Sequence, residues 1–474
     1  MHSDHTDGRS SIFGGSVRYS TLATAFLAVV LIWNVSWAHE GPADRAIRLL
    51  KTIPVPVTAT NTTAGAMYSF DISWVDQERQ LYFLADRSNR VVDVVDAQTG
   101  TFLKQIAPTP PHNPFAGFTP CVPLDGHSAN DCAGPNGVTT AEAPLPWLFV
   151  TDAPSRLLCI NFITGDTISE VNTSVTENTR ADELAYDPAD GLILAINNAA
   201  SPPFGTFVKV DKQTCDLTVL NTIVLDAAHG VDATNGAEQP VWDPDTGRFY
   251  LSIPNIGSTP SNGGVVRIAP NGTTVETTFP VQFCGPAGLT LGPHQDLFIG
   301  CNTVFDTAGH VWNPSGTVTA APKDVILNAE TGHKTDVLGV GAGDEVWFNK
   351  GDGNYYATGS GSPFRATLST SAQGSTPLGV VDAKDKKILQ QVPTFNVPAV
   401  TTGLAQHPAG TAHSVAVNAA NNFVFVPLAA NNAFSAFAVP GGGPVPDCQT
   451  GCIAVFGHPD EDKAGDGKDE HEHH

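Results

Sequence analysis

Positive charge is scarce in this chain: 24 Lys and Arg stand against 47 Asp and Glu, leaving a formal net charge of −23. Such a surface repels a phosphate backbone and an anionic bilayer, which excludes nucleic acid and membrane surfaces as partners and favours cations or neutral ligands. Several chemical signatures are also missing. The sequence has no Cys-x-x-Cys pair, no phosphate-cradling P-loop, no dinucleotide fingerprint and no Ser/His/Asp signature, so the common nucleotide and serine-hydrolase chemistries have no foothold. Beyond residue 38 no apolar run is long enough to span a bilayer.

What is abundant points to short strands. The chain carries 45 Gly and 36 Pro among many Val, Phe, Thr and Asn residues, a mixture suited to strands joined by turns rather than to long helices. Hydrophobic residues make up 41%, enough to fill a core and to exclude low-complexity disorder. Residues 1–38 read as a secretory signal: Arg9 and Arg18 precede the apolar stretch Thr21 to Val35, and Ser36, Trp37 and Ala38 form a small-x-Ala cleavage site. The mature chain is expected to begin at His39, to be secreted or periplasmic, and to have no membrane association once the signal is cleaved. All eight cysteines follow that site, and an even count in an exported chain favours disulfides. Residues 458–474 are acidic and end His471-Glu472-His473-His474, a composition expected to be disordered.

The strongest signal is an internal repeat. Asp182-Glu183-Leu184-Ala185-Tyr186-Asp187-Pro188 leads to Gly191 and an apolar run, and Glu238-Gln239-Pro240-Val241-Trp242-Asp243-Pro244 leads to Gly247 and another. Aligned on the turn, copies begin at Asp71, Asn136, Asp182, Glu238, Ala287, Asp344 and His413. Each copy reads as strand, turn, strand, then a third strand closed by a second turn such as Asp96-Ala97-Gln98-Thr99-Gly100, then a fourth. The expected fold is therefore all-β: a seven-bladed β-propeller of four-stranded antiparallel blades over residues 39–457. Leu49 to Val57 has no blade of its own and is expected to pair beside Cys452 to Phe456 and close the ring.

Hairpin symmetry about Gly292 and Pro293 places Cys284 opposite Cys301 on paired strands, so that bridge is expected. Proximity suggests Cys121 with Cys132 and Cys448 with Cys452, which leaves Cys159 with Cys215. The long Pro-rich insertion from Pro108 to Pro135 has the length of a lid or partner loop.

Because strands one and two of a blade are antiparallel, the start of one and the end of the other share a face. The starts are the seven positions above; the ends are Asp86, Asp152, Asn197, Asn255, Asn302 and Gly359. Most are Asp, Asn, Glu or His, and oxygen ligands converging on a propeller axis are what a hard cation such as Ca²⁺ requires. The ring accordingly offers Asn136, Asp182, Glu238 and Asp344 as metal ligands, with Ala287 a gap. His413 is its single His and could act as a ligand or as a general acid/base.

The segments Ala181 to Pro188, Gly285-Pro286-Ala287-Gly288-Leu289 and His413-Ser414-Val415-Ala416-Val417 resemble YVTN-type and SMP-30/gluconolactonase-like β-propellers over about residues 65–440. The resemblance implies lactonase, lyase or binding activity around a divalent cation, with Gly134-Pro135-Asn136-Gly137 similar to the Asn-Gly blade starts that supply a ligand. It departs at Ala287, where an acid is expected. Glu183 and Glu345, each one residue past the ring, are the candidate general bases for a hydrolase. Two functions follow: an exported propeller that binds a small molecule or protein at the channel mouth, with or without Ca²⁺, or a metal-dependent lactonase-type hydrolase or lyase.

Overall fold

The computed structural model describes residues 46–121, 127–312, 322–339, 343–359, 378–392, 394–403, 405–431 and 448–458. The expected signal segment, residues 1–38, and the acidic His-containing tail beyond His458 lie outside the described residues.

Seven four-stranded sheets form seven blades, and in six of them every strand is hydrogen-bonded to its sequence neighbour. Their first strands are Ser73–Asp76, Val138–Thr140, Leu184–Asp187, Pro240–Asp243, Cys284–Leu291, Glu345–Asn349 and Ala416–Asn418. They define blades one to seven and begin at or near the repeat starts read from the sequence. The seventh sheet takes its outermost strand from the other end of the chain. Arg48–Pro54 pairs antiparallel with Cys452–Gly457, with Leu49 opposite Phe456 and Ile53 opposite Ile453. The expected closure of the ring is thus present. The side chain of Gln390 in blade six fastens the approach to this strand, accepting from Ile47 N at 3.0 Å and donating to Ile47 O at 2.9 Å.

The turns work as their residue types require. Asp96 Oδ1 accepts from the backbone N–H of Gln98 at 2.9 Å and of Thr99 at 2.8 Å, and Gly100 takes φ +60°, where a side chain would be strained. Asn161 and Asn328 use their side-chain oxygens in the same way in blades two and five.

The core lies between blades rather than within one. Phe83, Val92 and Val94 of blade one pack on Leu148, Val150 and Leu158 of blade two. Each such side chain contributes about 1.5–3 kcal/mol on burial. Second and third strands are therefore buried on both faces, whereas fourth strands alternate, as in Thr101–Ile106 with exposed Thr101 and Leu103 and buried Ile106. The fourth strand is the outer rim.

All four disulfides are formed in the expected pairs: Cys121 with Cys132, Cys159 with Cys215, Cys284 with Cys301 and Cys448 with Cys452. The hairpin argument gave the right bridge for a partly wrong reason. Cys284 lies opposite Val304 and Cys301 opposite Pro286, with register shifts at Gly285/Pro286 and Pro286/Leu289. The turn is a short 3-10 segment, Pro293–Gln295, so the hairpin centre sits later than Gly292 and the bulges bring the two sulfurs together diagonally. Four disulfides fit an oxidising compartment, and among the described residues no helix is long and apolar enough to cross a membrane.

Candidate functional site

The blade starts converge at one end of the channel around a cavity of about 420 Å³. Asp71, Asp182, Glu238, Asp344 and His413 all line it, from blades one, three, four, six and seven. Four of the five are set there by the same construction. The residue precedes strand one, and its backbone N–H bonds to the end of strand two: Asp71 N to Ala85 O, Asp182 N to Ile196 O, Glu238 N to Ser252 O and Asp344 N to Thr358 O.

Two arginines occupy the centre of this acidic ring. Arg87, 3% exposed, donates from Nε to Asn136 Oδ1 at 2.8 Å and from Nη1 to Asn130 Oδ1 at 2.8 Å. Its Nη2 pairs with Asp71 Oδ2 and lies 3.6 Å from Asp182 Oδ1. Arg180 donates to Asn130 O at 2.9 Å and Asn198 Oδ1 at 3.3 Å, and its Nη2 is 2.8 Å from Asp182 Oδ2. All three nitrogens of each guanidinium are thereby engaged by protein groups.

Asn136 is fully buried. Its oxygen is taken by Arg87, and its amide donates to Ala133 O at 3.0 Å and Ala181 O at 2.8 Å. The structure thus sets Asn136 behind Arg87 rather than at the cavity surface. Among the described residues no three His, Cys, Asp or Glu side chains are grouped as a metal ion would need.

Glu345 has a different occupation. Its Oε2 accepts from Val415 N at 2.8 Å and from the Ser414 hydroxyl, and its Oε1 lies 3.4 Å from Ser73 N. One carboxyl therefore joins the first strands of blades six, seven and one. Burial pushes its pKa well above the ordinary value, and the hydrogen bonds only partly offset this.

Glu183 is the contrast. It is 8% exposed, lines the cavity, and its Oε2 is buried with no hydrogen-bond partner. Burial first, then the neighbouring charges of Asp182 and Glu238, raise its pKa well above 4.5. Glu238 is raised to about 8, again by burial and then by Asp182 and Asp344. Asp71 goes the other way. Burial alone would raise it, but Arg87, the His413 hydrogen bond and Arg180 together hold it below the usual carboxylate range. His413 stacks on Phe70 at 5.0 Å, contacts Thr411 O through Nδ1 at 2.9 Å and faces Asp71 Oδ1 from Nε2 at 3.7 Å. Burial opposes its protonation, yet Asp71 and Asp344 prevail and raise its pKa.

The ends of strand two are mostly spent on local structure. Asp86 accepts from Asn89 N at 2.9 Å, Asp152 pairs with Arg156, and Asn197 donates to Ser155 Oγ at 2.9 Å. Asn302 differs: it lines the cavity and donates to Asp344 Oδ1 at 3.1 Å. The Pro-rich insertion also reaches the site. Its Phe118 and Asn130 form part of the wall, anchored by fully buried Phe115 and by the pairing of Gly117 with Gly134.

The arginines and Asn130 were absent from the sequence reading. The signal was adjacency: Arg87 follows the strand end Asp86, and Arg180 stands two residues before the blade start Asp182. In a chain this poor in cations, each is a conspicuous neighbour.

No family model matches the chain, and no curated protein matches it by sequence. Among solved structures it is similar to the Kuenenia stuttgartiensis hydrazine synthase at 11% identity and a TM-score of 0.53, covering 78% of this chain and 95% of that one. At that identity the likeness extends to the fold alone, and it is a likeness of one β-propeller to another.

Proposed function

We propose that the protein is an exported, secreted or periplasmic propeller that binds a small, positively charged ligand at this end of its channel. The observation that carries the reading is the charge inventory of the cavity. Six carboxyls line it, Asp71, Asp182, Glu183, Glu238, Asp344 and Glu345, against Arg87, Arg180 and His413. Every nitrogen of both arginines already engages Asp71, Asp182 or one of three asparagines, whereas Asp182 Oδ1 and Glu183 Oε2 are buried carboxyl oxygens without a hydrogen bond. A cavity of about 420 Å³ is within the size range of small-molecule sites. Glu183 is nine-tenths buried with an unpartnered oxygen, and burial with Asp182 and Glu238 favours its proton, so a bound cation would pair with it by releasing that proton.

The test is calorimetric titration of the purified protein with ethanolamine, acetate and calcium chloride. Ethanolamine should bind and acetate should not, and Glu183→Gln should weaken binding at least tenfold. Tighter binding of acetate, or of nothing, refutes the reading. Calcium binding abolished by Glu238→Gln, with calcium-dependent hydrolysis of a small lactone, would instead establish the metal-dependent hydrolase in which Asp182, Glu238 and Asp344 are ligands.

A further inference from the structure

A second cavity of about 380 Å³ adjoins the first, and Glu238 and Asn302 line both. It opens where the polar ring is broken, at Ala287. The chemistry changes across the shared wall. Among the described residues Glu238 is the one charged residue lining the second cavity; its polar groups are the amides and hydroxyls of Thr234, Asn235, Asn255, Asn302 and Thr303. Pro254, Pro260, Pro286 and Phe305 supply flat apolar surface between them.

The unsatisfied atoms are of one kind. Among residues lining the two cavities, the buried side-chain atoms without a hydrogen bond are Asp182 Oδ1, Glu183 Oε2 and Asn255 Oδ1. All three are oxygens, two in the charged cavity, where Asp182 Oδ1 faces Arg87 Nη2 at 3.6 Å and Glu183 Oε2 has no such neighbour, and one in the neutral cavity. An occupant that satisfies them must carry donors along its length, with positive charge at one end only. A polyamine, charged at both ends, would leave a second ammonium whose one carboxyl neighbour, Glu238, is already shared with the first.

We propose that the two cavities form one extended site for an amino sugar, with its ammonium against Glu183 and Glu238 and its hydroxyl-bearing body over Ala287. Amide side chains both donate and accept, which suits vicinal hydroxyls, and the apolar C–H face of a pyranose ring suits proline and phenylalanine walls. This inference rests on the cation-binding reading above and adds the ligand class.

The experiment titrates the full mature protein with ethanolamine, glucosamine, N-acetylglucosamine, glucose and galactosyl-β-1,4-glucosamine, a disaccharide with a single amine. Glucosamine should bind at least tenfold more tightly than ethanolamine, and N-acetylglucosamine and glucose should bind at least tenfold more weakly than glucosamine. Asn235 is exposed, so Asn235→Trp can narrow the second cavity without disturbing the core; it should lower disaccharide affinity at least tenfold and leave ethanolamine unchanged. Asn255→Ala, which removes the buried acceptor, should weaken glucosamine but not ethanolamine. Equal affinities for ethanolamine and glucosamine, or for glucosamine and its N-acetyl form, overturn the amino-sugar assignment while leaving the cation site intact. Failure of every amine overturns both.

Discussion

Replacing Arg87 with Met tests whether the channel mouth is organised around a buried cation. The substitution keeps much of the aliphatic volume and removes the guanidinium. Asp71 then loses its closest counter-charge, and Asn136 Oδ1 and Asn130 Oδ1 each lose a donor at 2.8 Å. Breaking one side of a buried ion pair costs about 3–5 kcal/mol, and an orphaned acceptor about 1–3 kcal/mol. His413, 3.7 Å from Asp71 Oδ1, and Arg180 stay in place and offset part of this, so a net loss of about 3–4 kcal/mol is expected.

The measurement is urea unfolding at pH 7 of the wild type, Arg87→Met, Asp71→Asn and the double variant. The coupling between the two sites should exceed about 1.5 kcal/mol. The pH dependence has a defined sign. Asp71 is held below its unfolded-state pKa, so its stabilisation is present above about pH 4 and is lost as pH falls further. The gap between wild type and Arg87→Met should therefore narrow below about pH 4. A loss under about 0.5 kcal/mol at pH 7, or coupling near zero, would refute the reasoning.

Glu345→Ala should cost about 3 kcal/mol by stranding Val415 N, the Ser414 hydroxyl and Ser73 N, whereas Glu345→Gln should recover most of it in the same unfolding assay. Asp324 is buried, accepts from Cys301 N at 2.8 Å and is raised to about 7 by burial. An acid raised on folding loses stability as pH climbs from its unfolded value through its folded one, so Asp324→Asn should flatten the fall in stability between about pH 4 and 7. A Cβ at Gly137 would sit 2.6 Å from Asp182 O, so Gly137→Ala should destabilise by about 1–3 kcal/mol and weaken ligand binding, read by calorimetry. Cys159 and Cys215 bridge blades two and three across 56 residues, so the double Cys→Ser variant should lose about 4 kcal/mol if the chain-entropy account holds.

The blades were legible because their cause is local. Asx turns, positive-φ glycines and short apolar runs recur within each copy, and those forces act over a few residues. The acidic ring was legible for the same reason, since its members stand at a fixed offset from those turns. What escaped was set by contacts between blades. Arg87 meets Asn130 and Asn136, and Glu345 meets Ser73 and Ser414, pairs that no periodicity within one repeat can disclose. Register was limited likewise: symmetric counting does not see the bulges that shift Cys301 opposite Pro286.

The strand Arg48–Pro54 that completes blade seven has a consequence for how the molecule comes into being. Its partner, Cys452–Gly457, is the last strand among the described residues to be synthesised. Until then the first strand is a bare edge, free to pair with another chain. Joining ends separated by ~400 residues costs about 5 kcal/mol in closure entropy by the logarithmic law, a cost no earlier blade incurs. Moving Arg48–Pro54 by circular permutation to follow Cys452–Gly457 would turn this last, longest-range pairing into a neighbouring hairpin. The ring would be the same, but its slowest encounter would become one of its fastest.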